Sequence, residues 1–114
     1  MKSKLNASNE VYIIAELSAN HGHSLEVALR TVEAAQRTGA NAIKLQTYTA
    51  DSMTLDIDSP DFMANPAGPW AGRRLYDLYQ EAALPLEWHQ PIFSHAKTLG
   101  LDCFSSPFFT SVET

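Results

Sequence analysis

Val11-Tyr12-Ile13-Ile14-Ala15-Glu16 is an unbroken apolar run that ends on a carboxylate. Its short length and β-branched content suit a strand buried on both faces, the pattern of a parallel sheet. A loop of small and polar residues, Ser18 to Ser24, follows. Leu25, Ala28, Leu29, Val32 and Ala35 then recur at helical spacing, with Ser24 placed as N-cap and Gly39 as C-terminal stop. Ala42-Ile43-Lys44-Leu45-Gln46-Thr47-Tyr48 reads as the second strand. Lys44 and Gln46 lie two apart in it, so a strand points both side chains to one face.

Residues 49–70 hold Pro60, Pro66, Gly68, Pro69 and several Asp with little periodicity, and read as a long loop. Leu75, Leu78, Tyr79 and Ala82 predict a short helix that Pro85 ends. Trp88, Ile92, Phe93, Ala96 and Leu99 predict another, closed by Gly100. Pro91 falls in its first turn, where a missing N–H is tolerated. Leu101-Asp102-Cys103-Phe104-Ser105 is the third strand, running into Ser106-Pro107-Phe108.

Strands alternating with helices imply parallel βα units joined by right-handed crossovers. A (β/α)8 barrel averages roughly 31 residues per unit. Val11 to Ala42 is one such step, and Ala42 to Leu101 is about two, so the second unit carries an insertion. The expected fold is α/β: the N-terminal three βα units of a (β/α)8 TIM barrel, truncated, with parallel strands near 11–16, 42–48 and 101–105. Residues 1–10 form a polar lead-in and 11–114 the partial barrel domain. Three parallel strands cannot close a barrel, so the sheet is expected to leave an edge and apolar surface open.

The 114 residues amount to one domain at most. Hydrophobic residues are 45% and charged residues 18%, which excludes wholesale disorder. Eight basic residues against 13 acidic give a net charge of −5, and the longest basic run is Arg73-Arg74. No basic face for nucleic acid and no polybasic membrane patch is available. No apolar run approaches the ~20 residues of a membrane span, and Met1 to Asn9 lacks the apolar core of a signal peptide. The single cysteine, Cys103, permits no internal disulfide and fits a cytoplasmic location. Its mid-strand position reads as a small buried hydrophobe.

In parallel α/β folds ligands bind at the carboxyl ends of the strands. Here those ends carry Glu16, with Asn20 and His21 in its loop; Lys44 and Gln46, then Thr47 and Tyr48; and Ser105 and Ser106. Together they suit an anion held by a cation and hydroxyls, with a carboxylate nearby for proton or cation chemistry. Plainer readings stand beside this one. Glu16 could pair with Lys44 as an interior ion pair, Ser105 and Ser106 could be turn residues, and His21 could cap its loop. His21-Gly22-His23 and the His89/His95 pair match no zinc-type spacing, and His89 and His95 are expected to be exposed on their helix. Trp70, Trp88, Tyr76 and Tyr79 are expected to pack rather than stack on bases.

Ile14-Ala15-Glu16-Leu17-Ser18-Ala19-Asn20-His21, Lys44-Leu45-Gln46-Thr47-Tyr48 and Phe104-Ser105-Ser106-Pro107-Phe108 occur in this order and at suitable spacing. As a set they resemble the N-terminal part of the sialic acid synthase family, whose members condense phosphoenolpyruvate with an N-acyl amino sugar. The resemblance spans residues 11 to 112. The stretch Leu75 to His89 and the forms of the first two motifs lean toward the branch that makes pseudaminic acid from 2,4-diacetamido-2,4,6-trideoxy-altrose.

The resemblance implies that Lys44 contacts the phosphate of phosphoenolpyruvate, that Ser106 helps hold it, and that Gln46 lies beside the substrate. It implies that Glu16 sits near the reacting carbons, as a cation stabiliser or a proton carrier. Asn20 and Tyr48 complete the candidate substrate-binding set. It also implies a divalent metal, Mn or Mg, held by His residues on later strands and so by none in this chain, and a homodimer for the full-length protein. This chain departs from the family in placing His23 directly before Ser24, where relatives often have glycine.

Alternatives within the family are synthesis of N-acetylneuraminate or legionaminate. Outside it stand a non-catalytic fragment or binding module, and an aldolase-type lyase, which would need Lys44 as Schiff-base lysine. These 114 residues alone are expected to be inactive, because an open three-strand sheet cannot preorganise the site.

Overall fold

The computed structural model describes residues 10–109. The lead-in expected at residues 1–10 therefore lies almost wholly outside the described residues. The element order is β1 (Ile14–Glu16), α1 (Leu25–Arg37), β2 (Ala42–Thr47), α2 (Ala50–Met53), α3 (Leu75–Ala82), α4 (His89–Thr98) and β3 (Asp102–Pro107). Short 3-10 turns at Pro60–Phe62 and Leu86–Trp88 lie between them. The sheet order is β1-β2-β3 and both pairings are parallel. This is the truncated barrel that the strand spacing predicts.

Ser24 caps α1 by accepting from the Val27 N–H, and Gly39 follows the helix at φ +93°, which a side chain would strain. Ala28, Val32 and Ala35 of α1 and Ile92 and Ala96 of α4 pack over Ile43 and Leu45 of β2. Both crossover helices thus cover one face of the sheet, as right-handed connections of consecutive strands require. Glu33 of α1 and His95 of α4 close the helix pair with a 3.0 Å contact.

Three expectations change in detail. Val11 to Ile13 lies outside β1, and Val11, Ile13 and Ile14 are exposed. The run is not buried on both faces, because β1 is an edge strand and its non-helix face has no layer over it among the described residues. Ile13 still meets β2: its carbonyl accepts from the N–H groups of Asn41 and Ala42, and its N–H donates to Asn41 Oδ1. The loop at 49–70 contains α2, whose Thr49 and Ser52 cap each other reciprocally. β3 runs two residues further than the sequence suggests, to Pro107. Proline is admissible there because β3 is also an edge strand.

Candidate functional site

The register sorts the strand-end residues by face. Glu16 lies opposite Lys44, and Lys44 opposite Phe104; Gln46 lies opposite Ser106. Side chains alternate along each strand. Ile43 and Leu45 point into the core under the helices, so Lys44 and Gln46 point the other way, toward the barrel interior. Glu16 and Ser106 share that face by register. Four of the candidate residues are therefore brought together at one end of one sheet face.

Lys44 Nζ lies 3.7 Å from Glu16 Oε1, with the two side chains 32% and 43% exposed. The separation exceeds a hydrogen bond, so each group keeps capacity for another partner. An ammonium, an amide and a hydroxyl on adjacent strands provide donors for an anion, and Glu16 places a carboxylate beside them.

Ser105 faces away from this group. Its Oγ bonds Thr47 Oγ1, which in turn lies 2.7 Å from His89 Nε2. His89 Nδ1 reaches the carbonyls of Leu86 and Pro85. His89 is half-buried, contrary to the exposed position expected of it, as is His95 through its contact with Glu33. The sequence held a signal for His89: it falls three and seven residues before the buried Ile92 and Ala96, on the same helical stripe.

The loop after β1 is fixed by His21, which is fully buried. Its Nε2 lies 2.9 Å from the Ala82 carbonyl, and its Nδ1 accepts from the His23 N–H at 3.0 Å. A carbonyl can only accept, so the proton is on Nε2 and both nitrogens are engaged. Trp88 packs edge-on against the His21 ring. His21 thus lashes the loop to the end of α3, the loop-capping reading. Asn20 is exposed in the same loop, beside a shallow pocket shared with His23, Trp70, Arg73 and Glu81. Trp70 itself is 59% exposed rather than packed.

Tyr48 is buried with its ring edge-on to Tyr79 and Phe108, and burial raises its hydroxyl pKa. Cys103 packs against the core, and burial pushes its thiol up to about 11. Among the described residues no three His, Cys, Asp or Glu side chains converge as a metal site.

The NeuB family model matches residues 31–113. The chain is 54% identical over 103 residues to pseudaminic acid synthase of Campylobacter jejuni subsp. jejuni, covering 90% of this chain and 30% of that protein. It is 46% identical over 96 residues to pseudaminic acid synthase of Helicobacter pylori, covering 84% and 28%. The crystal structure of N-acetylneuraminic acid (sialic acid) synthetase from Leptospira borgpetersenii serovar Hardjo-bovis, in complex with citrate, superposes with a TM-score of 0.70 at 25% identity. That match covers 90% of this chain and 30% of the Leptospira chain. The chain thus spans about 30% of the length of these relatives, at their N-terminal side. With the family model matched over residues 31–113, the chain belongs to the NeuB family.

Proposed function

We propose that this chain is the N-terminal portion of a pseudaminic acid synthase, a transferase that condenses phosphoenolpyruvate with 2,4-diacetamido-2,4,6-trideoxy-altrose. The observation that carries the reading is the shared face of Glu16, Lys44, Gln46 and Ser106. The greater identity to pseudaminic acid synthases than to the N,N'-diacetyllegionaminic acid synthase of Legionella pneumophila, at 31%, favours this sugar over its alternatives.

In this reading Lys44 and the Ser106 hydroxyl hold the phosphate, and Gln46 orients the substrate beside it. C3 of phosphoenolpyruvate attacks the aldehyde carbon of the open-chain sugar, and the aldehyde oxygen takes up a proton. The cation left at C2 faces the Glu16 carboxylate, which stabilises it electrostatically or receives a proton from the incoming water. Water adds at C2, and C–O cleavage then releases phosphate. A divalent metal, Mn or Mg, would be held by residues outside those described, and no step here is routed through it. The full-length protein acts in the cytoplasm as a homodimer, and the 114 residues alone are inactive.

The test is Lys44→Ala in the full-length protein. Loss of a charge-assisted contact predicts a KM for phosphoenolpyruvate raised roughly 10- to 100-fold. An unchanged KM removes Lys44 from the phosphate site. A Schiff-base lyase would instead be trapped by borohydride at Lys44, and the present reading predicts no such adduct.

A further inference from the structure

The helix-covered face of the sheet carries a polar chain that the proposed chemistry does not use. The core around it is apolar: Leu45 precedes Thr47 on the same face, and Leu84 and Ile92 are buried nearby in sequence to His89. Within it run Ser105 Oγ, Thr47 Oγ1 and His89 Nε2, with His89 Nδ1 anchored 3.1 Å from the Leu86 carbonyl. The Leu86 oxygen can only accept, so Nδ1 carries the proton in the neutral ring and Nε2 accepts. Thr47 then donates to His89, and Ser105 donates to Thr47. Every proton in the chain is committed, and all run in one direction.

The three residues belong to three elements. Thr47 ends β2, Ser105 lies in β3, and His89 begins α4. Thr47 immediately follows Gln46, and Ser105 immediately precedes Ser106. The chain therefore ties β2 to β3 one residue away from the pair that faces the site. The β2–β3 ladder runs through these residues to the backbone bond from Phe108 N–H to the Thr47 carbonyl, 3.0 Å, so side chains and backbone together join the two strand ends.

We propose that His89 is a positioning residue: through Thr47 and Ser105 it fixes the carboxyl ends of β2 and β3, and so the spacing of Lys44 and Gln46 from Ser106 on the opposite face. The proposal rests on the phosphate-site reading above, and it assigns to the outer face of the sheet a role in the geometry of the inner one. Polar sites must be held within about 0.5 Å of productive geometry by such supports.

The experiment uses the full-length protein, with phosphate release measured while each substrate is varied in turn. His89→Ala and Thr47→Val are each expected to raise the KM for phosphoenolpyruvate roughly 5- to 10-fold, the scale of one lost hydrogen bond. The KM for the amino sugar stays within about twofold, a split that simple loss of folded protein does not produce. Thr47→Ser keeps the hydroxyl and rescues the KM. The double variant His89→Ala/Thr47→Val is no worse than the poorer single variant, since both break one chain. Equal changes in both KM values, no change in either, or additive effects in the double variant would overturn the proposal.

Where the parent protein releases no phosphate with any sugar, the functional reading fails and positioning is decided from crystal structures. Thr47→Val is nearly isosteric, so it preserves the fold. A shift of about 0.5 Å or more in the Lys44-to-Ser106 Cα separation then supports positioning, and an unmoved pair rejects it.

Discussion

At the residue scale the alternation of side chains along β2 and β3 separates two serines that the sequence places side by side. Ser105 is bonded to Thr47 on the helix side, and Ser106 falls opposite Gln46 on the other. The proposed role of Lys44 and Ser106 as phosphate ligands predicts that Ser106→Ala raises the KM for phosphoenolpyruvate roughly 5- to 10-fold, the effect of one neutral hydrogen bond. Steady-state kinetics of the full-length protein read this directly. Cys103 offers a second test. Its thiol, pushed up to about 11 by burial, is almost wholly protonated at pH 8, and only the thiolate reacts. Slow labelling by a disulfide reagent at pH 8, becoming complete on denaturation, is expected; rapid labelling of the folded protein contradicts the half-buried, core-facing placement of the thiol.

At the element scale the insertion between β2 and α4 combines a few buried apolar side chains, Ala50, Ala64 and Leu84, with exposed ion pairs. α3 has no fully buried residue. Arg73 grips Glu81 through both carboxylate oxygens, and Arg74 spans Asp77 and Asp56. The Arg74 guanidinium holds the Asp77 carboxyl below the usual range, and Arg73 does the same for Glu81. Lowered carboxyl pKa values mean stabilisation that is complete above the ordinary carboxylate pKa and is lost as pH falls through the lowered values. Faster amide exchange of the 73–82 backbone below about pH 4 is therefore expected, with salt acting in the same direction. Exchange that is independent of pH and salt, after correction for intrinsic rates, would show that the pairs hold nothing. His21 supplies the other tether: His21→Leu leaves the Ala82 carbonyl and the His23 N–H without their partner, at a cost of about 1–3 kcal/mol. A urea midpoint lowered on that scale checks it.

At the scale of the whole molecule, the parallel order and the (β/α)8 class were legible because they depend on period. The apolar run at 11–16, the stripe from Leu25 to Ala35, and the alternation of Lys44 and Gln46 each announce one element. Ser24 and Gly39 mark the ends of α1 for local reasons that tertiary structure leaves untouched. The site face was legible for the same reason, since parity along a strand sets it. What was not legible depended on neighbours distant in sequence. The exposure of Val11 and Ile13 follows from β1 lying at an edge. The tether of His21 runs to Ala82, 61 residues away, and the side-chain bond of His89 to Thr47, 42 residues away. No local pattern encodes such pairs.

The open sheet face has an energetic consequence at this scale. Ile14 and Phe104, which share the face of Lys44 by register, are exposed. Residues 1–114 expressed alone are therefore expected to bind an apolar fluorescent dye far more strongly than the full-length protein does, and to release no phosphate. Equal dye binding by both would mean that the full-length protein leaves this face uncovered.

The central claim is that this sheet face serves a pseudaminic acid synthase. Phosphate release from phosphoenolpyruvate by the full-length protein with Mn²⁺, offered N-acetylmannosamine and 2,4-diacetamido-2,4,6-trideoxy-altrose in parallel, tests it most directly. The account predicts release with the second sugar only. Release with N-acetylmannosamine alone, or with neither sugar, contradicts it.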